Sequence, residues 1–248
     1  MRVLVTFAME REGKYWRRLE GAHPSGPGLA TMYARGKLQV VAALTGVGPA
    51  AAEQATRTLL DRHRVDLCIS AGFAGALRPE LRPGVVLVGR QVQAMGDGRL
   101  WHAPETWLQQ AVQAGARPAC LLTLAHVATA NDKRRLSPLA DAVDMESAAI
   151  VAVAAARGIP ALAVRAVADP LERDVPVEVE RIVDPVGRVR ARTVMKLLMR
   201  RPSVLAALLA LAADSRSAGR ALAAFLGRFL DGLAVWQPLN VSSPVTVS

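Results

Sequence analysis

Two carboxylates stand at positions from which side chains can reach a bound molecule. Glu146 opens an apolar, Ala-rich helix that we expect over residues 148–156, with Asp144 as its N-cap. Asp169 comes directly after a short apolar strand at residues 161–167. Ligands of open α/β sheets bind beyond the carboxyl ends of strands, where carboxylates can transfer protons or stabilise positive charge. The sequence therefore predicts a site around these two side chains.

A third carboxylate, Glu12, lies in the helix that follows the first strand. Each of the three also has a simpler interpretation that the residues alone leave open. Glu146 can be a first-turn acid favoured by the helix dipole, Asp169 a turn former before a proline, and Glu12 a solvated helix acid. Arg165, inside the last apolar strand, is expected to form an internal ion pair.

Apolar strands alternate with helices, which favours an α/β fold with a largely parallel sheet. Residues 2–7 are expected to form a continuous short strand, typical of a sheet that is covered on both faces. A Gly-rich turn at residues 45–49 can cradle phosphate or ribose, or can simply be a tight turn. The small residues at 71–76 let a ligand or backbone approach closely, and residues 128–133 are expected to be a loop. We expect strands at 2–7, 38–44, 65–70, 85–92, 118–127 and 161–167, and helices at 50–63, 104–115 and 148–156.

The composition limits the class of protein. The chain has 248 residues, 52% of them hydrophobic, which is enough for one large α/β domain with an aliphatic core and an appendage. Cys68 and Cys120 both lie in apolar runs, so we expect reduced thiols in a cytoplasmic protein, without disulfides or a metal site. We expect neither a signal peptide nor a membrane-spanning helix. The net charge of +10 indicates an anionic partner or reflects a general Arg bias.

The composition changes after about residue 185. Between Arg188 and Arg228 there are nine Lys or Arg residues and one acid, which gives this segment a net charge of +8. The segment is Leu-rich, and Pro202 and Gly219 are expected to divide it into two or three helices. An amphipathic, cationic segment is typical of a helix on an anionic membrane surface; an oligomer interface and a helical cap on the core are the alternatives. We predict a catalytic domain at 1–185, a helical extension at 186–234 and a flexible tail at 235–248.

Five motifs follow one another in the first part of the chain. They are AMEREG at 8–13, TGVGPAAAEQAT at 45–56, ISAGFAGAL at 69–77, VDMESAA at 143–149 and VRAVAD at 164–169. In this order they resemble the nucleoside phosphorylase superfamily, in particular the nucleosidases that cleave adenine from methylthioadenosine and S-adenosylhomocysteine. One such match is weak, whereas five in order are specific. The resemblance implies a three-layer α/β/α fold with a central mixed, largely parallel sheet.

The resemblance also assigns roles to individual side chains. It implies that Glu146 binds the ribose 2′- and 3′-hydroxyls and that Met145 packs beneath the ribose. Asp169 resembles the general acid that protonates N7 of the purine, and Glu12 resembles the carboxylate that orients and deprotonates water. No cofactor is implied, and a homodimer is expected. Further substrate contacts are expected from Ala71, Gly72, Phe73 and Asn131.

Departures from the family bear on the substrate and on the nucleophile. Phe73 stands where the methylthioadenosine nucleosidases usually carry a small polar residue, and ATANDK at 128–133 replaces a stretch that packs on the adenine. The arginines by which hexameric phosphorylases hold phosphate have no counterpart, which favours hydrolysis over phosphate as the nucleophile. With its cationic extension the chain resembles the hopanoid-associated branch, in which adenine is removed from adenosylhopane.

Three functions follow from these observations. The first is release of adenine from a hydrophobic 5′-substituted adenosine such as adenosylhopane, by a protein that is peripheral on the inner face of the membrane. The second is a methylthioadenosine/S-adenosylhomocysteine nucleosidase. The third is a non-catalytic nucleoside-binding module whose basic extension contacts nucleic acid; the three carboxylates argue against it, and no RNA-binding pattern of stacking aromatics is present. Under the first hypothesis, a chain ending near residue 184 should stay folded and active.

Overall fold

A nine-stranded mixed sheet forms the centre of the molecule. The computed structural model describes residues 1–20, 30–171 and 203–235; at residue 19 and residues 203–209 it describes the backbone alone. The strand order is β2-β3-β1-β4-β8-β7-β5-β6, and the ninth strand pairs with both β4 and β5. The strands are β1 Arg2–Phe7, β2 Ala30–Arg35, β3 Leu38–Leu44, β4 Leu67–Ala76, β5 Val86–Ala94, β6 Leu100–His102, β7 Arg117–Thr123, β8 Ala142–Asp144 and β9 Ala161–Asp169.

Parallel pairing dominates the long central strands. β1 runs parallel to β3 and β4, β4 runs parallel to β9, and β7 runs parallel to β5 and β8. The pairs β2–β3, β4–β8, β5–β6 and β5–β9 are antiparallel. Because β9 joins β4 to β5, the strands β4, β8, β7, β5 and β9 close into a ring at one side of the sheet. The predicted α/β class with a mixed, largely parallel sheet is confirmed.

Helices cover both faces of the sheet. Val3 and Val5 of β1 pack in one apolar cluster, whereas Leu4 between them packs in another, because successive side chains of a strand point to opposite faces. The first cluster includes side chains of α1, α3 and α6, and the second includes those of α2 and α5, which gives the three-layer α/β/α arrangement. The helices are α1 Glu10–Glu20, α2 Pro49–Arg62, α3 Glu105–Gln113, α4 Ala130–Leu136, α5 Ser147–Ala155 and α6 Ser203–Val235.

Two segments have a different secondary structure from the one expected from the sequence. β4 continues through the small residues 71–76, which were expected to follow the strand, because their backbone pairs with β9. Of the expected loop at 128–133, residues 128 and 129 precede the helix, whereas residues 130–133 form the start of α4. Its first turn is held by a capping box, in which Thr129 accepts from the backbone N–H of Asp132 and Asp132 accepts from that of Thr129.

The C-terminal helix α6 is a single helix that packs on the core. It runs through Gly219, where a Cβ would lie 2.8 Å from the ring of Tyr15, so the missing side chain permits close packing against α1. The prediction that Gly219 divides this segment is therefore wrong. The face of α6 that is buried in the core contains Leu222, Phe225, Leu226, Phe229, Leu230 and Leu233.

The packing of α6 bears on the three alternatives for the C-terminal segment: a membrane-surface helix, an oligomer interface and a helical cap on the core. The apolar face of α6 lies against the core, so a chain ending near residue 184 would lose a large part of that core, contrary to our expectation. The domain division at residue 185 stays a prediction, because residues 172–202 lie outside the described residues, as does the predicted tail at 235–248 except for residue 235. Within the described part, no helix is both long and apolar enough to cross a membrane.

Candidate active site

A cavity of about 500 Å³ lies where several strands and helices end. Its wall is formed by the start of α1, the last residues of β4, the segment after β7, the junction between β8 and α5, the end of β9, and one side of α6. This is the position in which α/β folds bind ligands. The lining residues that carry the chemistry or the apolar walls are Met9, Arg11, Glu12, Val47, Phe73, Val127, Asp144, Met145, Glu146, Asp169 and Leu211.

Glu12 is a buried acid in the first turn of α1. Its Oε2 accepts a hydrogen bond from the backbone N–H of Met9 at 2.9 Å, and its Oε1 accepts one from that of Phe73 at 3.0 Å. Gly72 makes this second contact sterically feasible, since a Cβ at that position would lie 3.0 Å from Oε1. Burial raises the pKa of Glu12, while the two backbone hydrogen bonds and the charge of Arg165 act in the opposite direction.

Glu146 occupies the N-cap position of α5, but its side chain does not cap the helix. Its Oε1 instead accepts a hydrogen bond at 2.8 Å from the backbone N–H of Gly48, whose φ of 91° turns the chain into α2. This backbone N–H of the Gly-rich turn therefore donates to a carboxylate of the protein itself. Burial, and then the charges of Glu12 and Asp144, raise the pKa of Glu146 to about 8.

Asp144, which lines the cavity, forms a buried ion pair with Arg165. The Nε of Arg165 donates to Oδ2 of Asp144 at 2.7 Å, which confirms the internal ion pair expected for this arginine. Its Nη1 donates to the backbone oxygens of Ser70 and Val164, and its Nη2 donates to Ser70 Oγ. Asp144 also accepts from Thr123 Oγ1 and from Ser147. Because α5 begins at Ser147, Asp144 is not its N-cap, and the prediction of that cap is wrong.

Asp169 lies at the end of β9, where the pairing with β4 is irregular. Gly75 pairs with Asp169 although Ala74 pairs with Val167, so one residue of β9 is extra, and such a bulge re-aims the side chains around it. The Oδ2 atom of Asp169 lies 2.6 Å from Nζ of Lys133. This lysine was not singled out from the sequence, because its segment was expected to be a loop.

The structure brings most of the predicted site residues to one cavity. Glu12, Phe73, Met145, Glu146 and Asp169 all line it. Their assigned roles stay predictions.

The other predicted contacts lie elsewhere. Ala71 is buried in the core, and Gly72 lies beside Glu12 without lining the cavity. Asn131 is on the exposed side of α4, outside the lining, because it precedes the inward-facing Lys133 by two residues, or about 200° of helix rotation. The structure gives no support to its predicted contact with the base.

Comparison with known proteins decides the family. A profile of the phosphorylase superfamily matches residues 2–136 and 124–200, which is well over half of the chain. The chain belongs to the phosphorylase superfamily. It is an enzyme that cleaves an N-glycosidic bond, by hydrolysis or by phosphorolysis.

Relatives within the superfamily include two kinds of hydrolase. A 5′-methylthioadenosine/S-adenosylhomocysteine nucleosidase of Geobacillus kaustophilus is 28% identical over 228 residues, covering 80% of this chain and 97% of the relative. A futalosine hydrolase of Streptomyces coelicolor is 33% identical over 153 residues, covering 51% of this chain and 65% of the relative.

Solved structures show the same fold at lower sequence identity. The futalosine hydrolase of Helicobacter pylori superimposes with a TM-score of 0.71 at 15% identity, covering 93% of this chain and 97% of that one. The methylthioadenosine/S-adenosylhomocysteine nucleosidase of S. pneumoniae, solved with a transition-state inhibitor, gives a TM-score of 0.71 at 19% identity, covering 94% of this chain and all of that one.

Proposed function

We propose that this member of the superfamily hydrolyses the N-ribosidic bond of a 5′-substituted adenosine, with adenosylhopane as the candidate substrate. The observation that carries the proposal is the placement of Glu12, Glu146 and Asp169 in one cavity. Breaking an N-ribosidic bond leaves positive charge on the sugar and negative charge on the base. An acid is therefore needed at the base and carboxylates at the sugar, as in glycosidases.

The reaction assigns one step to each carboxylate. Asp169 donates its proton to N7 while the bond between C1′ and the purine nitrogen breaks, so the base leaves as a neutral molecule. A water oxygen forms the new bond to C1′, and Glu12 accepts the proton that this water loses. Glu146 binds the ribose hydroxyls and, with Glu12, stabilises the cationic sugar. General acid catalysis of this kind is typically worth about 10²–10⁴-fold in rate.

The charges around the cavity support water as the nucleophile. Four carboxylates line it, those of Glu12, Asp144, Glu146 and Asp169, whereas Arg11 is the one Lys or Arg among the described lining residues. Arg165 lies below the cavity and is already bonded to protein atoms. Apart from Arg11, the described lining therefore offers a phosphate ion no Lys or Arg to compensate its charge, whereas a neutral water needs none.

The walls of the cavity support an apolar 5′-substituent. Met9, Val47, Phe73, Val127 and Leu211 present apolar side chains to it. Leu211 comes from α6, so the C-terminal helix contributes directly to the cavity wall. A lipid-borne nucleoside would bury its hydrocarbon part against such side chains at about 25 cal/mol per Å².

A second candidate follows from the relatives. The nucleosidase of G. kaustophilus matches along 97% of its length, which favours a methylthioadenosine/S-adenosylhomocysteine nucleosidase. The methylthio group of methylthioadenosine is also apolar, so the cavity walls fit both this substrate and adenosylhopane. Futalosine is a third compound to test, because a futalosine hydrolase is among the relatives.

Release of free base from a panel of nucleosides tests the proposal. The panel contains adenosylhopane in detergent, adenosine with a long 5′-alkyl group, methylthioadenosine, S-adenosylhomocysteine and futalosine, each with and without phosphate. We expect the highest kcat/KM on the long-chain adenosines, a free reducing ribose as co-product and no dependence on phosphate. Formation of a ribose 1-phosphate would overturn hydrolysis. A preference for methylthioadenosine would replace adenosylhopane by the second candidate.

Membrane association is part of the same proposal, but it now depends on a shorter segment. The apolar face of α6 between residues 218 and 233 is buried, so it is not available to a bilayer. Residues 186–202 carry six Lys or Arg and no acid. Each basic side chain near an anionic surface contributes about 1 kcal/mol. We expect the protein to sediment with anionic vesicles at low salt and to be released at high salt; absence of binding at low salt contradicts the idea.

A further inference from the structure

Lys133 is an almost fully buried lysine beside the site. It is 1% exposed, although the next two residues of α4, Arg134 and Arg135, are exposed. A lysine is rarely buried unless its charge is compensated, because removing an ammonium group from water is costly. Its Nζ lies 2.6 Å from Oδ2 of Asp169 and donates to the backbone oxygen of Pro170 at 2.8 Å.

The local structure directs the side chain of Lys133 to the end of β9. The capping box at Thr129 starts α4, so Lys133 falls at the end of its first turn. Leu136, three residues later on the same face, is buried in an apolar cluster with Val143 and Leu122. The helix therefore cannot rotate without exposing Leu136. Lys133 does not line the cavity, so it reaches the site through Asp169 and not by touching a ligand.

We propose that Lys133 is a positioning residue for Asp169 in the cleavage step. This role rests on the proposed function, in which Asp169 gives its proton to the leaving base. The ammonium group holds one carboxylate oxygen and so fixes the plane of the carboxyl group at the end of β9.

A comparison of two leaving groups separates this role from a general structural one. Lys133→Met removes the charge and keeps the length of the side chain, and Arg134→Met removes a charge from the exposed side of the same helix. The first probe is a 5′-substituted adenosine. The second is the 4-nitrophenyl riboside with the same 5′-substituent, whose leaving group departs without protonation.

For Lys133→Met we expect kcat on the adenosine to fall about 10-fold to 10²-fold, with KM changed less than about threefold. On the nitrophenyl riboside kcat should stay within about threefold of wild type, and Arg134→Met should behave as wild type on both. Equal losses on the two probes would show that Lys133 only maintains the structure. Unchanged kcat on the adenosine would also overturn the proposal.

Thermal unfolding gives a second readout that does not require activity. The four proteins are wild type, Lys133→Met, Asp169→Asn and the double variant. We expect Asp169→Asn to lower Tm by several degrees, because it leaves a buried ammonium without its counter-charge, and the double variant to recover part of that loss. Additive changes in Tm would contradict a coupled pair. A wild-type protein that releases neither adenine from the adenosine nor nitrophenolate from the riboside would refute the proposed function, while this cycle would still report the coupling.

Discussion

Replacing Glu146 by glutamine tests whether a buried acid of the cavity makes the fold less stable as the pH rises. The pKa of Glu146 is raised from 4.5 to about 8, first by burial and then by the charges of Glu12 and Asp144. In the unfolded chain this side chain loses its proton near pH 4.5. Between these values the folded protein retains a proton that the unfolded chain releases. The free energy of unfolding should therefore fall as the pH rises from about 4.5 to about 8.

The size of the effect follows from linkage. One proton bound in the folded state and absent from the unfolded state changes the free energy of unfolding by about 1.4 kcal/mol per pH unit. Glutamine cannot ionise, so Glu146→Gln should reduce the slope by up to that amount. Some slope should remain, because the pKa of Glu12 is raised as well and its proton is linked to folding in the same direction. Relative to wild type, the variant gains stability between pH 5 and pH 8.

Urea unfolding at a series of pH values measures these slopes. The proteins are wild type, Glu146→Gln and Glu105→Gln, the last as a control that changes an exposed glutamate at the start of α3. The control should follow the wild-type profile at every pH. Parallel profiles for wild type and Glu146→Gln would refute the reasoning, since they would mean that Glu146 ionises alike in the folded and unfolded chain.

Three further predictions concern the catalytic acid, the C-terminal helix and the glycine that leaves space for the Glu12 carboxylate. Asp169→Asn should lower kcat by at least about 10², measured as release of base, because the amide has no proton to transfer; near wild-type kcat contradicts this. Phe225→Ala should lower the free energy of unfolding, measured by urea unfolding, by about 3–5 kcal/mol, because the ring is fully buried. A chain ending at residue 184 should fail to fold, because it lacks the whole of this helix. Gly72→Ala should lower kcat by about 10-fold to 10²-fold with the fold retained in circular dichroism, because its Cβ would displace the Glu12 carboxylate; full activity would show that Glu12 tolerates the shift.

Much of the fold was predictable because buried strands have a simple sequence pattern. Runs such as residues 2–7 and 161–167 are mostly apolar, and both are central strands of the sheet. The errors arose where tertiary contacts decide the conformation. Gly219 is a helix breaker by propensity, yet it lies inside α6 because Tyr15 occupies the space of a side chain. The segment at 128–133 is polar, but its capping box, visible as Thr129 and Asp132, was the signal that could have identified α4.

The carboxylates of the site were predictable from the sequence, whereas the residues that bind them were not. Asp169 and Glu146 follow or precede elements that the sequence shows clearly, and the motif resemblance singled out Glu12. The pairing of Lys133 with Asp169 joins residues 36 positions apart, through a helix that was not expected. Asn131 was expected at the site because its segment replaces the stretch that packs on the adenine in the family, whereas its position on the helix turns it to solvent. The direction of a side chain on a short helix depends on where that helix begins, and neither composition nor motif spacing defines that residue.

The buried acids that line the cavity connect the stability of the protein with the proposed chemistry. Arg165 compensates Asp144, and within the described residues neither Glu12 nor Glu146 lies within 4 Å of a basic group. Burial raises the pKa of both acids, and for Glu146 the charges of Glu12 and Asp144 add to this effect, so the two acids oppose folding once they are ionised. A sugar that becomes cationic in the transition state supplies the missing positive charge at that moment. The same burial and charge repulsion that weaken the free protein therefore favour binding of the transition state over that of the neutral substrate, and this difference is what accelerates the reaction.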